Sequence, residues 1–274
     1  MGGMLALEYA FFGQEYVKSI VAIATCAEHS AWCIAWSEMQ RQSICADPKF
    51  QSGQYKLRDP PHSGLAAARV AALLTYRSRD SYQRKFARTI SSPAAISKKT
   101  NANRQLASVI PPQSGSISEP LVRKERRASR PRQSRRSPRR LTEKDEHLSS
   151  QFSVKTYLRY QGNKFVHRFD SNCYIAITRK LDSHDISRGR IDNDDARLPQ
   201  EQALAQIQQP VLVIGIESDV LFPCAEQMRL AEGIPNAQCE TIASSEGHDA
   251  FLISATQVGH LIHDFLHSTV DCYE

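Results

Sequence analysis

An apolar run, Val211–Ile216, contains almost no polar positions and predicts a β-strand buried on both faces. Such strands are typical of a parallel sheet packed between helices. Residues 19–25 have the same character and predict a second strand of this kind. A crossover helix over residues 223–233 and a short strand over 239–243 follow the first run, as a parallel connection requires. The pattern therefore predicts an α/β fold.

Helical spacing of apolar residues occurs along most of the remaining chain. The first helix begins without a cap and is expected to end at Gly13. No strand precedes it, so part of the fold in front of this helix is expected to be missing. Bulky Trp and Tyr side chains favour a helical cap for part of the chain. Further helices are predicted over residues 31–45, 65–76, 81–88, 152–165, 172–181, 203–207 and 256–267.

Residues 89–150 differ in composition from the rest, because Ser, Pro, Arg and Lys replace apolar residues. Such a segment buries too little apolar surface to offset the entropy of ordering, so a disordered insertion is predicted. The net charge of +6 has its source here, since residues 123–140 contain ten Lys and Arg and only one acid. The alternatives are an arm that binds nucleic acid and a tether tuned by phosphorylation. A nucleic-acid partner is not favoured, because no aromatic side chains alternate with the arginines.

Cysteine usage and hydropathy indicate where the chain resides. Seven cysteines form an odd set without CxxC spacing, which is typical of a reducing compartment. Cys26, His29 and Cys33 lack a fourth ligand at suitable spacing, so no metal site is expected. No apolar run approaches the roughly 20 residues of a membrane-spanning helix. The sequence therefore predicts a cytoplasmic protein with no membrane partner.

Two candidate catalytic residues follow successive predicted strands. Asp219 lies just after Val211–Ile216, and His248 follows the strand predicted at 239–243. The carboxyl ends of parallel strands meet at one edge of a sheet, so both side chains are expected there. Asp followed by His is the second and third part of the Ser, Asp, His order of α/β-hydrolases. A serine nucleophile would then lie upstream.

Six blocks in a fixed order carry a family resemblance. They are GGMLALE at 2–8, YLRYQG at 157–162, RFDSNCY at 168–174, HDISRGR at 184–190, ESDVLF at 217–222 and GHDAFL at 247–252. Together they resemble the homoserine O-acetyltransferase family, most closely its fungal form. The resemblance covers about residues 1–88 and 152–267. It implies the C-terminal part of the sheet of an α/β-hydrolase fold, with a helical cap insertion and with the first strands of the sheet missing.

The resemblance also implies a reaction. Members of this family move an acetyl group from acetyl-CoA to the hydroxyl of homoserine through an acyl-serine, in methionine biosynthesis, without metal or organic cofactor. Their nucleophile lies in a Gly-x-Ser-Met-Gly-Gly-Met elbow, and residues 1–4 match its second half. The nucleophile is thus expected just before Met1, whose backbone N–H would be an oxyanion donor. The 274-residue chain alone is expected to be inactive.

By the same resemblance, individual residues receive roles. His248 would be the general base and Asp219 would orient it. Arg168 and Tyr174 would lie near the acyl and amino-acid groups, and Asp249 would hold the substrate ammonium. The alternatives are that Arg168 is a solvated charge and Tyr174 a core residue. The polar turn at 184–190 is interpreted as a structural hydrogen-bond hub.

Five segments are predicted along the chain. They are a partial hydrolase core at 1–30, a cap at 31–88, the insertion at 89–150, a second cap part at 151–200 and the remaining core at 201–274. A homodimer through the cap is a further prediction. Serine and deacetylcephalosporin C remain alternative acyl acceptors. A non-catalytic fragment and an arginine-rich nucleic-acid binder are the alternatives of another class.

Overall fold

A computed structural model describes residues 1–90 and 152–270 of the chain. Its strands are β1 (Ile20–Ile23), β2 (Val211–Ile216) and β3 (Ala237–Ile242). Its helices are α1 (Gly2–Tyr9), α2 (Ala31–Cys45), α3 (His62–Tyr76), α4 (Arg79–Phe86), α5 (Ser153–Phe165), α6 (Ser171–Asp182), α7 (Pro199–Leu204), α8 (Cys224–Gly233), α9 (Ala250–Ile253) and α10 (Ala255–Val270). Short 3-10 turns lie at Ala10–Phe12 and Gln51–Gly53. Nearly all of the predicted insertion, residues 91–150, lies outside the described residues.

The three described strands form a parallel sheet in the order β1, β2, β3. Val211 of β2 is in register with Ile20 on one side and with Ala237 on the other. All six residues of β2 are buried. The central position of β2 explains its unbroken apolar run, since hydrogen bonds occupy both edges and side chains cover both faces. The predicted α/β fold is confirmed.

Alternate residues of β2 belong to two separate hydrophobic clusters, because successive side chains of a strand point to opposite faces. Val211 and Val213 pack with apolar residues of α1, α7 and α8, among them Leu7 and Leu230. Leu212, Ile214 and Ile216 pack with residues that include Val258 and Phe265 of α10. The sheet is therefore covered by helices on both faces.

A third cluster lies among helices and uses no residue of the sheet. Its buried members include Ile44, Leu65, Phe165 and Ile175. Helices α2 and α3 approach closely at Gly64, where an added Cβ would lie 2.7 Å from the backbone oxygen of Ser43. The segment predicted to be a cap thus contains a helical core of its own, while the five predicted segment boundaries remain a prediction.

The chain divides into two units, Met1–Ala87 with Tyr157–Glu274, and Arg88–Thr156. The sheet and its clusters belong to the first unit. In the described residues of the second, Ile90 pairs with Phe152 in an antiparallel bridge, and the Arg88 guanidinium lies 4.9 Å from the Phe152 ring centroid. Across residues 1–90 and 152–270, none of the helices has the length and hydrophobicity needed to cross a membrane.

Candidate active site

Each of the three parallel strands is followed by a loop that contributes a polar side chain to one region. His29 follows β1, Asp219 follows β2 and His248 follows β3. The carboxyl ends of parallel strands form a common edge, where α/β proteins place their functional groups. The structure brings Asp219 and His248 into direct contact there. Their catalytic roles remain predictions.

Asp219 is held in a fixed orientation by the backbone that follows it. Its Oδ1 accepts hydrogen bonds from the backbone N–H groups of Leu221 at 2.8 Å and Phe222 at 3.0 Å. Its Oδ2 lies 2.7 Å from Nδ1 of His248. The Asp219 side chain is fully buried, whereas the His248 side chain is 19% exposed. A carboxylate beside Nδ1 favours the tautomer with its proton on that nitrogen, which leaves Nε2 of His248 as a proton acceptor.

The loop that carries His248 makes a close turn against the junction of α3 and α4. Gly247 has φ +75°, and an added Cβ would lie 2.5 Å from the backbone nitrogen of Ser78. Its own N–H donates to Oγ of Ser218 at 2.9 Å. The backbone N–H of Asp249, two residues further on, donates to the carbonyl of Tyr76 at 2.9 Å. Only glycine fits this turn, which sets the position of the neighbouring imidazole.

Glu246 connects the same loop to the α3–α4 junction. Its carboxylate accepts hydrogen bonds from Arg77, from Oγ of Ser81 at 2.6 Å and from Nη2 of Arg84 at 2.8 Å. The Ser81 hydrogen bond and the two arginines hold the pKa of Glu246 below its usual value, against a smaller effect of burial. The loop is therefore bound to the helices by charge as well as by packing.

A cavity of about 320 Å³ lies beside His248. Its wall is largely aromatic and aliphatic, which is typical of a site for a small molecule. The His248 ring contacts the rings of Tyr76, Phe222 and Phe251, at centroid distances of 6.3, 5.4 and 5.5 Å. Besides His248, Cys33 and the tyrosines, the polar and charged residues of the wall are His29, Ser37, Gln40, Arg69, Thr75 and Thr178.

No hydroxyl or thiol group hydrogen-bonds to His248 within residues 1–90 and 152–270. Cys33 lines the cavity, but its Sγ donates to the carbonyl of Leu221 at 3.2 Å. Burial raises the pKa of the Cys33 thiol to about 11, so it stays protonated near neutral pH. Met1, at the start of α1, also lines the cavity. This is the position from which the predicted oxyanion donor would act.

The predicted substrate residues lie in different environments. Tyr174 lines the cavity, and its buried hydroxyl donates to Oε1 of Gln40 at 2.5 Å. Arg168 is exposed and is not part of the cavity wall; its guanidinium lies 5.7 Å from the Phe165 ring centroid. The geometry thus gives no support to substrate contact by Arg168. A solvated arginine stacked on an aromatic ring explains its position.

Asp249 lies next to His248 in sequence but outside the residues that line the cavity. Its Oδ2 is 3.6 Å from Nε of Arg77. Burial raises the pKa of Asp249, partly opposed by Arg77 and His248. Its predicted contact with a substrate ammonium remains a prediction.

The turn at 184–190 makes the structural contacts expected of it. Nε2 of His184 lies 3.0 Å from the carbonyl of Cys26, and Arg188 donates to the carbonyl of Ser183 at 3.0 Å. The backbone N–H of Ile186 donates to the carbonyl of Ala27 at 2.9 Å. The bonds of His184 and Ile186 connect the turn to the loop after β1.

Two residues of the cavity wall, Arg69 and His29, were not predicted from the sequence. The Arg69 guanidinium lies 5.3 Å from the Tyr76 ring centroid and 5.0 Å from that of Phe165. The sequence contains a signal for each of these two residues. Arg69 shares a helical face with Leu65, Ala72 and Tyr76 in an otherwise apolar helix, and His29 follows the carboxyl end of a buried strand.

The described residues do not contain three His, Cys, Asp or Glu side chains grouped so that they could hold a metal ion. The six cysteines in this part of the chain are free. Nε2 of His248, next to the cavity, is a group that can take part in proton transfer.

Comparisons with known proteins concern the family and the fold of the chain. A family model described as alpha/beta hydrolase fold matches residues 1–255. The homoserine O-acetyltransferase of Emericella nidulans is 47% identical over 97% of this chain, which spans 58% of that relative. Homoserine O-acetyltransferase FUB5 of Fusarium oxysporum is 44% identical over 98% of the chain and 67% of the relative. The crystal structure of homoserine O-acetyltransferase from Bacillus anthracis matches in fold with a TM-score of 0.68, at 18% identity, over 97% of this chain and 57% of that one.

Proposed function

Because the chain belongs to the α/β-hydrolase fold family and, within it, to the homoserine O-acetyltransferases, we propose that its site transfers an acetyl group from acetyl-CoA to the hydroxyl of L-homoserine. The observation that carries the proposal is the 2.7 Å contact between Nδ1 of His248 and Oδ2 of Asp219 beside the cavity. The chain spans little more than half of the Emericella relative. The proposal therefore concerns the part that this chain contributes.

In the proposed mechanism, His248 moves protons in both half-reactions. Nε2 takes the proton of a serine hydroxyl as that oxygen attacks the thioester carbonyl, and then gives it to the departing thiolate of coenzyme A. In the second half-reaction Nε2 takes the proton of the homoserine hydroxyl, which attacks the acetyl-serine, and returns it to the serine. Asp219 stabilises the imidazolium that forms each time. The backbone N–H of Met1 donates to the oxyanion.

The cavity supplies the acceptor site. Arg69 is the wall residue with a permanent positive charge, and guanidinium groups bind carboxylates through paired hydrogen bonds. We assign it the homoserine carboxylate, in place of Arg168. Tyr174 and Gln40 shape the wall beside it. Serine and deacetylcephalosporin C are the alternative acceptors.

The cellular setting follows from the same proposal. Homoserine acetylation supports a place in methionine biosynthesis, and the free cysteines support the cytoplasm. A homodimer through the helical segments is part of the proposal. No cofactor is required, since acetyl-CoA is consumed as a co-substrate.

The test uses a joined chain, in which the N-terminal segment of the Emericella relative, ending at the serine that the resemblance places before Met1, precedes this sequence. We expect formation of O-acetylhomoserine together with free coenzyme A. His248→Ala should lower kcat by on the order of 10⁶-fold. His260→Ala, on the exposed face of α10, is the matched control and should not change kcat.

The 274-residue chain without that segment should transfer no acetyl group, because His248 then has no hydroxyl to activate. Transfer by this chain alone at the rate of the joined chain would mean that the nucleophile has been misplaced. A joined chain that acetylates serine or deacetylcephalosporin C and not homoserine would support the alternative acceptors. Salt-sensitive RNA or DNA binding without acetyl transfer would favour the nucleic-acid alternative.

A further inference from the structure

A buried glutamine of α8, Gln227, connects this helix to the loop after β1. It is 1% exposed. Its Oε1 accepts a hydrogen bond from the backbone N–H of Thr25 at 3.3 Å, and its Nε2 donates to the carbonyl of the same residue. A primary amide can pair with a donor and an acceptor at once, as a neighbouring strand would. One side chain therefore pairs with both backbone groups of Thr25.

The backbone of this loop is strained just before Thr25. Ala24 has φ +44°, a left-handed conformation that is unfavourable for a residue with a Cβ. Such a conformation persists where the surrounding contacts hold it. The N–H of Ala24 donates to the carbonyl of Ile214 at 2.9 Å, and Gln227 holds the next residue. The position of Thr25 is thus set from two elements, β2 and α8.

Thr25 in turn supports the start of α1. An added Cβ on Gly3 would lie 2.6 Å from Cβ and 2.9 Å from Cγ2 of Thr25, so the helix backbone rests directly on this side chain. Oγ1 of Thr25 is buried and has no hydrogen-bond partner among the described residues. Thr25 therefore acts on α1 by packing. Met1, two residues before Gly3, lines the cavity.

We propose that Gln227 is a positioning residue of the reaction: by holding Thr25 against Gly3, it sets the place of the Met1 N–H that donates to the oxyanion. The inference rests on the proposed function, which gives Met1 that role. Gln227 is not among the residues that line the cavity, so it acts through Thr25 and not on the substrate.

The place of Gln227 in the chain suits this task. Helix α8 begins at Cys224, shortly after the loop that carries Asp219. The same helix therefore follows the partner of the base and reaches the support of the oxyanion donor. An oxyanion donor is effective only within hydrogen-bond distance of the developing charge, so small displacements of Met1 are costly.

The experiment compares two buried glutamines in the joined chain. Gln209 is 2% exposed, and its Nε2 donates to the carbonyl of Ala10 at 2.7 Å, just past the C-terminal end of α1. Gln227→Met and Gln209→Met each replace a buried amide by an apolar side chain of similar size. We expect Gln227→Met to lower kcat about 10- to 100-fold, because a donor displaced by about 1 Å loses much of its effect. Gln209→Met should change kcat by less than about 2-fold.

Two readouts separate positioning from a general loss of stability, which both variants are expected to show in thermal unfolding. The oxyanion forms in both half-reactions. In Gln227→Met, the burst of free coenzyme A from acetyl-CoA alone and the transfer to L-homoserine should therefore slow by similar factors, with the KM for L-homoserine changed by less than about 2-fold. Affinity for methylboronic acid, whose tetrahedral serine adduct places a negative oxygen at the donor, should fall together with kcat.

Thr25→Ala tests the same contact from the other side. It removes the side-chain atoms that pack against Gly3 and keeps the backbone groups that bind Gln227. We expect kcat to fall about 3- to 10-fold. The double variant with Gln227→Met should lose less than the product of the two separate factors, because both changes act through one contact. Thr25→Ala also takes the place of Gln227→Met in the comparison if that variant does not fold.

Several outcomes overturn the inference. Equal losses of kcat in Gln227→Met and Gln209→Met would show a general effect of stability. A higher KM for L-homoserine with an unchanged coenzyme A burst would place the effect at the acceptor. If the unsubstituted joined chain transfers acetyl groups and Gln227→Met has the same kcat, only the role of Gln227 fails. If the unsubstituted joined chain gives neither the burst nor the transfer, the proposed function fails and the inference fails with it.

Discussion

Two histidine–aspartate pairs lie beside one cavity, and they differ in what else the aspartate binds. Asp219 is fully buried, receives two backbone N–H groups and meets no lysine or arginine within 4 Å in residues 1–90 and 152–270. Asp182 is 19% exposed and shares its charge with Arg41. The nitrogen–oxygen distance is 2.7 Å in the first pair and 3.3 Å in the second.

The difference shows how the same two residue types can serve different purposes. The charge of Asp219 is opposed by no basic side chain, so it is available to stabilise an imidazolium during proton transfer. The charge of Asp182 is largely offset by a guanidinium, so its histidine gains little from protonation. One pair is suited to proton transfer and the other to hydrogen bonding by a neutral ring.

Removal of each aspartate charge gives the largest contrast. In the joined chain, Asp219→Asn should lower kcat by on the order of 10⁴-fold, because the imidazolium loses its counter-charge and its preferred tautomer. Asp182→Asn should change kcat by less than about 10-fold, because Asp182 contacts His29 and Arg41 and not the histidine that transfers the proton. Steady-state rates of coenzyme A release measure both. Similar losses of kcat in the two variants would remove the functional distinction between the pairs.

A substitution in the loop that carries His248 should disturb the Asp219–His248 pair and leave the Asp182–His29 pair intact. Gly247→Ala places a Cβ 2.5 Å from the backbone nitrogen of Ser78 at a φ of +75°, and should lower the free energy of unfolding by about 3 kcal/mol. Gly259→Ala is the matched control, because an added Cβ meets no atom within 4 Å there. It should raise that free energy by about 0.5–1 kcal/mol. Urea unfolding of both variants gives the comparison, and equal stability would mean that the turn tolerates a side chain.

The smallest expected effect concerns pH. Burial lowers the pKa of His29 below its usual 6.5, so the unfolded chain binds more protons than the folded chain as the pH falls below 6.5. Its contribution to stability is full above that value and declines by at most about 1.4 kcal/mol per pH unit below it. Burial also lowers the pKa of His184, so His184 contributes a pH dependence of the same sign.

His29→Gln should therefore show a smaller loss of the free energy of unfolding between pH 7 and pH 5.5 than the unsubstituted chain. Asp182, His184 and the amino terminus are the charged or titratable neighbours that act on His29, and all three are retained in this variant. Urea unfolding at a series of pH values makes the measurement. An identical pH dependence in the two chains would show that His29 is not held neutral.

Much of the fold could be predicted from the sequence, because the spacing of apolar residues reflects which side of each helix or strand is buried. The bounds of β2 and α2 match the predicted segments, and β1 lies within the predicted residues 19–25. The contact between Asp219 and His248 follows from two successive parallel strands whose carboxyl ends lie at one edge. Both inferences depend on short stretches of chain and on general rules of parallel sheets.

The cavity could not be predicted in the same way. Its wall is built from helices that are far apart in sequence, as the contacts of His29 and Arg41 with Asp182 show. Such contacts depend on tertiary packing, which one sequence does not reveal. Arg168 belongs to a family block yet lies outside the wall, while Arg69 lies in it. A motif assigns a role to a residue, but only packing decides which arginine faces the cavity.

The bonds of Glu246 have a mechanical consequence. Arg77, Ser81 and Arg84 bind it from the α3–α4 junction, and its carboxylate stands two residues before His248. A displacement of these helices would therefore carry the imidazole with them instead of leaving it behind on the sheet. The alignment of the base is then tied to α3, the helix that also supplies Arg69, Thr75 and Tyr76 to the cavity wall.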